Sequence, residues 1–83
     1  MDVAETVDAR GTVCPIPIIR AAERLATLEV GQVLEVLATD EAVLDDLPAW
    51  CRATRHDFLG VDRDPPSPDE PPTFRGYVRR AHQ

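Results

Sequence analysis

The chain has 83 residues, of which 43% are apolar, enough for one small domain with a single modest core. Its formal charge of −6 argues against direct nucleic-acid binding, which is driven by cations meeting phosphate. All nine cations are arginine, so no lysine chemistry is available within these residues. No apolar run is long enough to span a membrane, and Met1–Glu5 lack the basic and apolar segments of a secretory signal. The expected location is therefore cytoplasmic, with no membrane partner and with thiols kept reduced. Two cysteines, Cys14 and Cys51, do not make a disulfide framework.

Val3, Glu5 and Val7 alternate with Ala4, Thr6 and Asp8, which predicts a first strand. From Pro15 the period becomes helical, with Ile18, Ala22, Leu25 and Ala26 on one face, Ile19 beside them, and an Arg20–Glu23 pair on the other. This helix is expected to fade over 27–29 and to turn at Gly31. Val33–Ala38 is β-prone on both faces apart from Glu35, the pattern of a central strand. A second helix follows, capped by Thr39 or Asp40, with Val43, Leu44, Leu47, Trp50 and Cys51 as its apolar stripe. Pro48 is expected to divide it into two short pieces. Phe58–Val61 reads as a third strand and 73–79 as a fourth. The five prolines between them predict a stiff, acidic, solvated loop over 63–72. The order β-α-β-α-β-β predicts an α+β fold, a two-layer sandwich with a mixed four-stranded sheet and both helices on one face. The whole of 1–83 is expected to be one domain.

The chemistry concentrates where the first strand gives way to the first helix, at Asp8-Ala9-Arg10-Gly11-Thr12-Val13-Cys14-Pro15-Ile16-Pro17. Pro15 suits the first helical position, since its missing N–H has no intrahelical partner there, and this makes Cys14 the N-cap. The N–H groups of Ile16 and Ile18 are then expected to stay free and to face the sulfur. Together with the positive end of the helix dipole they favour a thiolate. Gly11 allows a tight turn or close approach. Cys51, on the apolar stripe, is expected in the core, with a resolving or disulfide role as the alternative.

Asp8-x-Arg10-Gly11-x-x-Cys14-Pro15-x-Pro17 closely resembles the signature of the TusA family, also called SirA-like, of small sulfur-transfer proteins. Gly31, Ala38-Thr39-Asp40, Leu47-Pro48-x-Trp50-Cys51 and Arg55-His56-Asp57-Phe58 also fall where that family has similar residues, so the resemblance covers nearly the whole chain. It implies a sulfurtransferase-type persulfide carrier with Cys14 as the catalytic residue. Arg10, Gly11, Pro15, Ile16, Pro17 and Ile18 then form the motif that supports the thiolate, and Asp40 becomes a partner-docking position. It implies a sulfur donor such as a cysteine desulfurase or rhodanese-like protein and an acceptor such as a DsrE-like protein. Downstream lie tRNA thiolation, molybdenum-cofactor assembly or sulfur oxidation. The acidic, proline-rich loop over 63–72 and the reduced basic character around Ala22 and Glu23 depart from the family pattern.

Such a transfer needs no cofactor and no metal. Cys51 and His56 lack the companions a structural zinc requires. A carrier that docks with successive partners is expected to be a monomer. His56 is a candidate for proton transfer or for a structural role, while His82 is expected in a frayed tail. Arg75, Arg79 and Arg80, along an edge-like strand, are expected to serve solubility or edge protection, with an acidic partner as the alternative. Two other functions compete with sulfur transfer: a binding or regulatory module of the same fold, and a thiol redox protein using Cys14 and Cys51.

Overall fold

The computed structural model describes residues 1–65 and 67–83. Within the 63–72 connection Pro66 lies outside the described residues. The elements run β1 (Val3–Asp8), α1 (Ile16–Leu25), β2 (Val33–Ala38), α2 (Val43–Thr54), β3 (Asp57–Arg63) and β4 (Phe74–Arg79). This is the expected α+β sandwich, a mixed four-stranded sheet with two helices. The strand order is β1-β2-β4-β3, with β1 parallel to β2 and β4 antiparallel to both of its neighbours.

The core lies between the helices and one sheet face. Leu34, Val36 and Ala38 of β2 and Phe74 and Val78 of β4 meet Leu25 of α1 and Val43, Leu47 and Cys51 of α2. Gly76 lies between Phe74 and Val78 because Leu47 leaves no room for a side chain there: an added Cβ would collide with its Cδ2.

Four details differ from the sequence reading. First, α1 buries Pro17, Ala21 and Leu25 most deeply; of the expected face Leu25 is buried and Ile18 packs part-buried against the core, while Ala22 is half-buried and Ala26 exposed. The stripe is rotated by one residue because Pro17 packs inward, which leaves Ile19 exposed. Arg20 does not pair with Glu23. Its guanidinium donates to the Asp8 carbonyl, and Arg24 pairs with Glu5 across the layers.

Second, α2 is one helix with Pro48 inside it. A proline there removes a single intrahelical hydrogen bond, while fully buried Leu47 and Cys51 anchor the turns on either side of it. Arg55 ends the helix in the left-handed conformation (φ 63°), and the His56 N–H donates to the Cys51 carbonyl.

Third, β4 is interior rather than an edge, since it inserts between β2 and β3. Its arginines therefore serve structure. Arg75 forks onto Asp64 and approaches Glu35, and Arg79 pairs with Asp57. Arg80, just beyond the strand, donates to the carbonyls of Leu25, Ala26 and Leu28, so a cation closes the C-terminal end of α1.

Fourth, His82 is held in place. It stacks on His56 at 4.4 Å between ring centroids and bonds to the Thr54 carbonyl, while His56 Nδ1 accepts the Ala81 N–H. Both histidines thus sit beyond the C-terminal end of α2. Among the described residues no helix is long and apolar enough to cross a membrane.

Candidate functional site

The site is the loop between β1 and α1, held against the loop between β2 and α2. Parallel pairing of the two strands places these loops at the same end of the sheet. Ala9 continues the ladder by donating to the Leu37 carbonyl, after which Gly11 turns the chain at φ 78°. The Gly11 N–H donates to Thr39 Oγ1 at 3.0 Å and the Cys14 N–H to Asp40 Oδ2 at 3.0 Å. The other carboxylate oxygen of Asp40 accepts the Ala42 N–H at 3.0 Å. Asp40 thus ties the cysteine loop to the start of α2, and these two N–H bonds, Ala42 first, hold its carboxyl below the usual range.

Arg10, expected to support the thiolate, turns away from it. Its guanidinium pairs with Asp8 at 2.8 Å, and that bond together with the Arg10 N–H holds Asp8 down at about 2.

Cys14 is exposed, as its place before a helix predicts. It is not the cap. The helix opens one residue later, at Ile16, with Pro15 in the cap position, Pro17 in the first turn and a cis Cys14–Pro15 peptide. The amides expected to face the sulfur are also used elsewhere. Ile16 N–H donates to the Val13 carbonyl at 2.9 Å, and Ile18 and Ile19 both donate to the Pro15 carbonyl. Pro15 and Pro17 have no N–H to offer. The head of α1 therefore supplies no backbone donor to the sulfur.

The Cys14 thiol instead donates to Asp46 Oδ2 at 2.7 Å. That bond, some desolvation and the negative charges of Asp46 and Asp40 push the thiol above its ordinary value, the reverse of the lowering expected from the helix dipole. Asp46 is the neighbour of Cys14 that the sequence does not reveal. Its signal was weak: Asp45-Asp46 stands in the first turn of α2, where acids are ordinary partners of the helix dipole.

Cys51 has the opposite setting. It is 1% exposed on the inner face of α2, and burial pushes its thiol up to about 11. Beside Cys14, Val13 (68% exposed), Ile16 (37%) and Ile19 (45%) form an apolar margin. Glu41 and Asp45 are exposed on the α2 side. Among the described residues no group of three metal-ligating side chains occurs.

This combination defines a small α+β protein that carries one exposed thiol at the end of its sheet, the build of the SirA-like proteins. In the crystal structure of a SirA-like protein from Desulfitobacterium hafniense the fold superposes with a TM-score of 0.70 at 28% identity, covering 94% of this chain and 99% of that one. The profile of the family described as "Sulfurtransferase TusA" matches residues 5–80. The chain belongs to the TusA family of sulfur carriers.

Among relatives, the sulfur carrier protein TusA of Allochromatium vinosum is 38% identical over 58 residues, 70% of this chain and 76% of that protein. The Bacillus subtilis protein YrkI, named as a candidate sulfur carrier, is 46% identical over 55 residues, 66% of this chain and 73% of that one. YrkF of the same organism, similarly named, is 39% identical over 64 residues. That match covers 77% of this chain and only 35% of YrkF, so the chain spans about a third of that relative.

Proposed function

We propose that the protein is a sulfur carrier that accepts sulfane sulfur on Cys14 as a persulfide and hands it to an acceptor protein, with residues 1–83 acting as one TusA-like domain in the cytoplasm. The observation that carries this reading is the placing of the two thiols: Cys14 is exposed on a loop braced by Thr39 and Asp40, whereas Cys51 is sealed in the core. A protein donor can reach the first sulfur and not the second.

The chemistry is a thiol–persulfide exchange. The Cys14 sulfur attacks the outer sulfur of the donor's persulfide as the proton leaves Sγ. A new sulfur–sulfur bond forms at Cys14, the donor's sulfur–sulfur bond breaks, and the donor's inner sulfur leaves with the electron pair and takes up a proton. Delivery is the same step with the acceptor thiol attacking the outer sulfur of loaded Cys14. No net oxidation occurs, so neither metal nor redox cofactor is required. The apolar margin of Val13, Ile16 and Ile19 suits the docking of successive partners, and a monomer leaves it open. The expected donors are cysteine desulfurases or rhodanese-like proteins and the expected acceptors DsrE-like proteins. Asp40 contributes to the docking surface by fixing the loop that carries Cys14.

The test is intact-protein mass after incubation with a cysteine desulfurase and cysteine. A gain of one sulfur atom, reversed by reductant and absent in Cys14→Ser, is expected. No gain with several unrelated donors, despite an alkylatable Cys14, overturns the reading in favour of a binding module.

A further inference from the structure

We infer that Asp46 is a gate on Cys14: it holds the sulfur as a neutral, oriented thiol in the free protein, and sulfur transfer begins when a docked partner brings positive charge to this carboxylate. The inference rests on Cys14 being the sulfur-bearing residue and adds how its reactivity is regulated.

Four observations carry it. The Cys14 thiol donates to Asp46 Oδ2 at 2.7 Å, so the carboxylate touches the reacting atom. The backbone donors that would stabilise a thiolate are spent, Ile16 on Val13 and Ile18 and Ile19 on Pro15. The charged side chains acting on Cys14 are both acidic: Asp46 from α2, and Asp40 from the loop before it. The arginines that flank it in sequence are engaged elsewhere, Arg10 with the Asp8 carboxylate and Arg20 with the Asp8 carbonyl.

A cysteine with a carboxylate on its sulfur and no donor in reach is at rest, because ionising it would place two negative charges in contact. A persulfide anion formed there meets the same repulsion. A guanidinium or ammonium pairing with Asp46 removes that repulsion and frees the thiol to lose its proton. The partner surface this site fits is therefore basic, with an apolar centre to match Val13, Ile16 and Ile19. The gate also makes chemical sense for a carrier, since it discourages reaction with small electrophiles between partners.

The test is the pH profile of alkylation by iodoacetamide, read at Cys14 by peptide mass spectrometry so that Cys51 does not contribute. In the wild type the midpoint is expected above the free-cysteine value of about 8.5 and is expected to fall with added salt, which screens the carboxylates. In Asp46→Asn, which keeps an oxygen acceptor and loses the charge, the midpoint is expected to drop by about one unit, while Asp45→Asn leaves it in place. One unit gives about tenfold more thiolate at neutral pH, of which lower nucleophilicity takes back about threefold, so the net reaction at pH 7 quickens about threefold. Loading from glutathione persulfide is expected to quicken to the same degree in Asp46→Asn.

A wild-type midpoint at or below the free-cysteine value, or one indifferent to salt, overturns the gate without need of any variant. So does an Asp46→Asn midpoint equal to or above the wild type, or, where the wild type loads, loading of the variant that is unchanged or slower. Absence of loading from every donor, with the midpoints as expected, instead fails the sulfur-carrier reading and leaves the Asp46–Cys14 coupling standing.

Discussion

Cys14 and Cys51 are the same residue in one small protein, and both thiols are held in the neutral form, yet for different reasons. Cys51 is neutral because packing removes water from it, and only unfolding can change that. The Cys14 thiol is raised chiefly by the half-buried Asp46 carboxylate that accepts its hydrogen bond, with Asp40 adding to it, and a charge partner can be changed where burial cannot. A raised thiol is thus compatible with function when its cause is removable. The comparison also divides α2 itself: its inner face buries Cys51, while Asp46 in its first turn reaches the thiol on the loop beyond β1.

The largest effect should come from exchanging each sulfur for oxygen. Cys14→Ser is expected to abolish sulfur loading while leaving thermal stability unchanged, because the side chain packs against little. Cys51→Ser is expected to keep loading and to lose about 1–3 kcal/mol of stability, since a hydroxyl replaces a thiol at a site that offers no water. Denaturant melts of both variants beside the mass assay separate the two roles. Loading lost in Cys51→Ser protein that is still folded would break the division between the two cysteines and revive the redox reading.

A substitution away from both thiols sharpens the same division. Leu34 is fully buried on β2, far along the strand from the cysteine loop, and Leu34→Ala is expected to destabilise the fold by about 2–5 kcal/mol. Cys51 should then become labelled by iodoacetamide in step with global unfolding, whereas the labelling rate of Cys14 stays as in the wild type. Parallel acceleration of both thiols would mean that the Cys14 loop depends on the core more than its hydrogen bonds suggest.

What could be read from the sequence divides along the same line. The strands and helices follow from local alternation and period, and the packing role of Cys51 follows from its place on a helical stripe with Leu44 and Leu47. The exposure of Cys14 follows from the loop-to-helix transition at Gly11 and Pro15. The insertion of β4 between β2 and β3 has no local signal, which is why Arg75 and Arg79 read as edge residues and prove to be paired in the interior of the sheet. Pro48 reads as a break because propensity weighs the lost hydrogen bond and cannot weigh the burial of Leu47 and Cys51. Asp46 was illegible for a deeper reason. It lies 32 positions from Cys14, and only the packing of α2 beside the loop brings its oxygen to the sulfur. The dipole argument for a thiolate failed at the same place, because it assumed free amides that a turn at Val13 and the Pro15 carbonyl consume.

The smallest expected effect concerns Asp40, which joins the two loops without touching the sulfur. Its carboxyl is held below the ordinary range by the N–H groups of Ala42 and Cys14. A carboxylate depressed in the folded state contributes stability that is fully present above the unfolded value of about 3.9 and is lost as the pH falls through the lower folded value. Above pH 5 the bridge should therefore be complete, and sulfur loading near neutrality should not depend on its titration. On acidification the amide proton shifts of Cys14 and Ala42 should move together in NMR spectra, with one shared midpoint below about 3.9. In Asp40→Asn the side chain has one oxygen left to accept, so only one of the two amides keeps its partner and the shared titration disappears. Independent midpoints for the two amides in the wild type would show that one carboxylate does not hold both. The cysteine loop would then be free of α2, and Asp46 could not keep a fixed place on the sulfur.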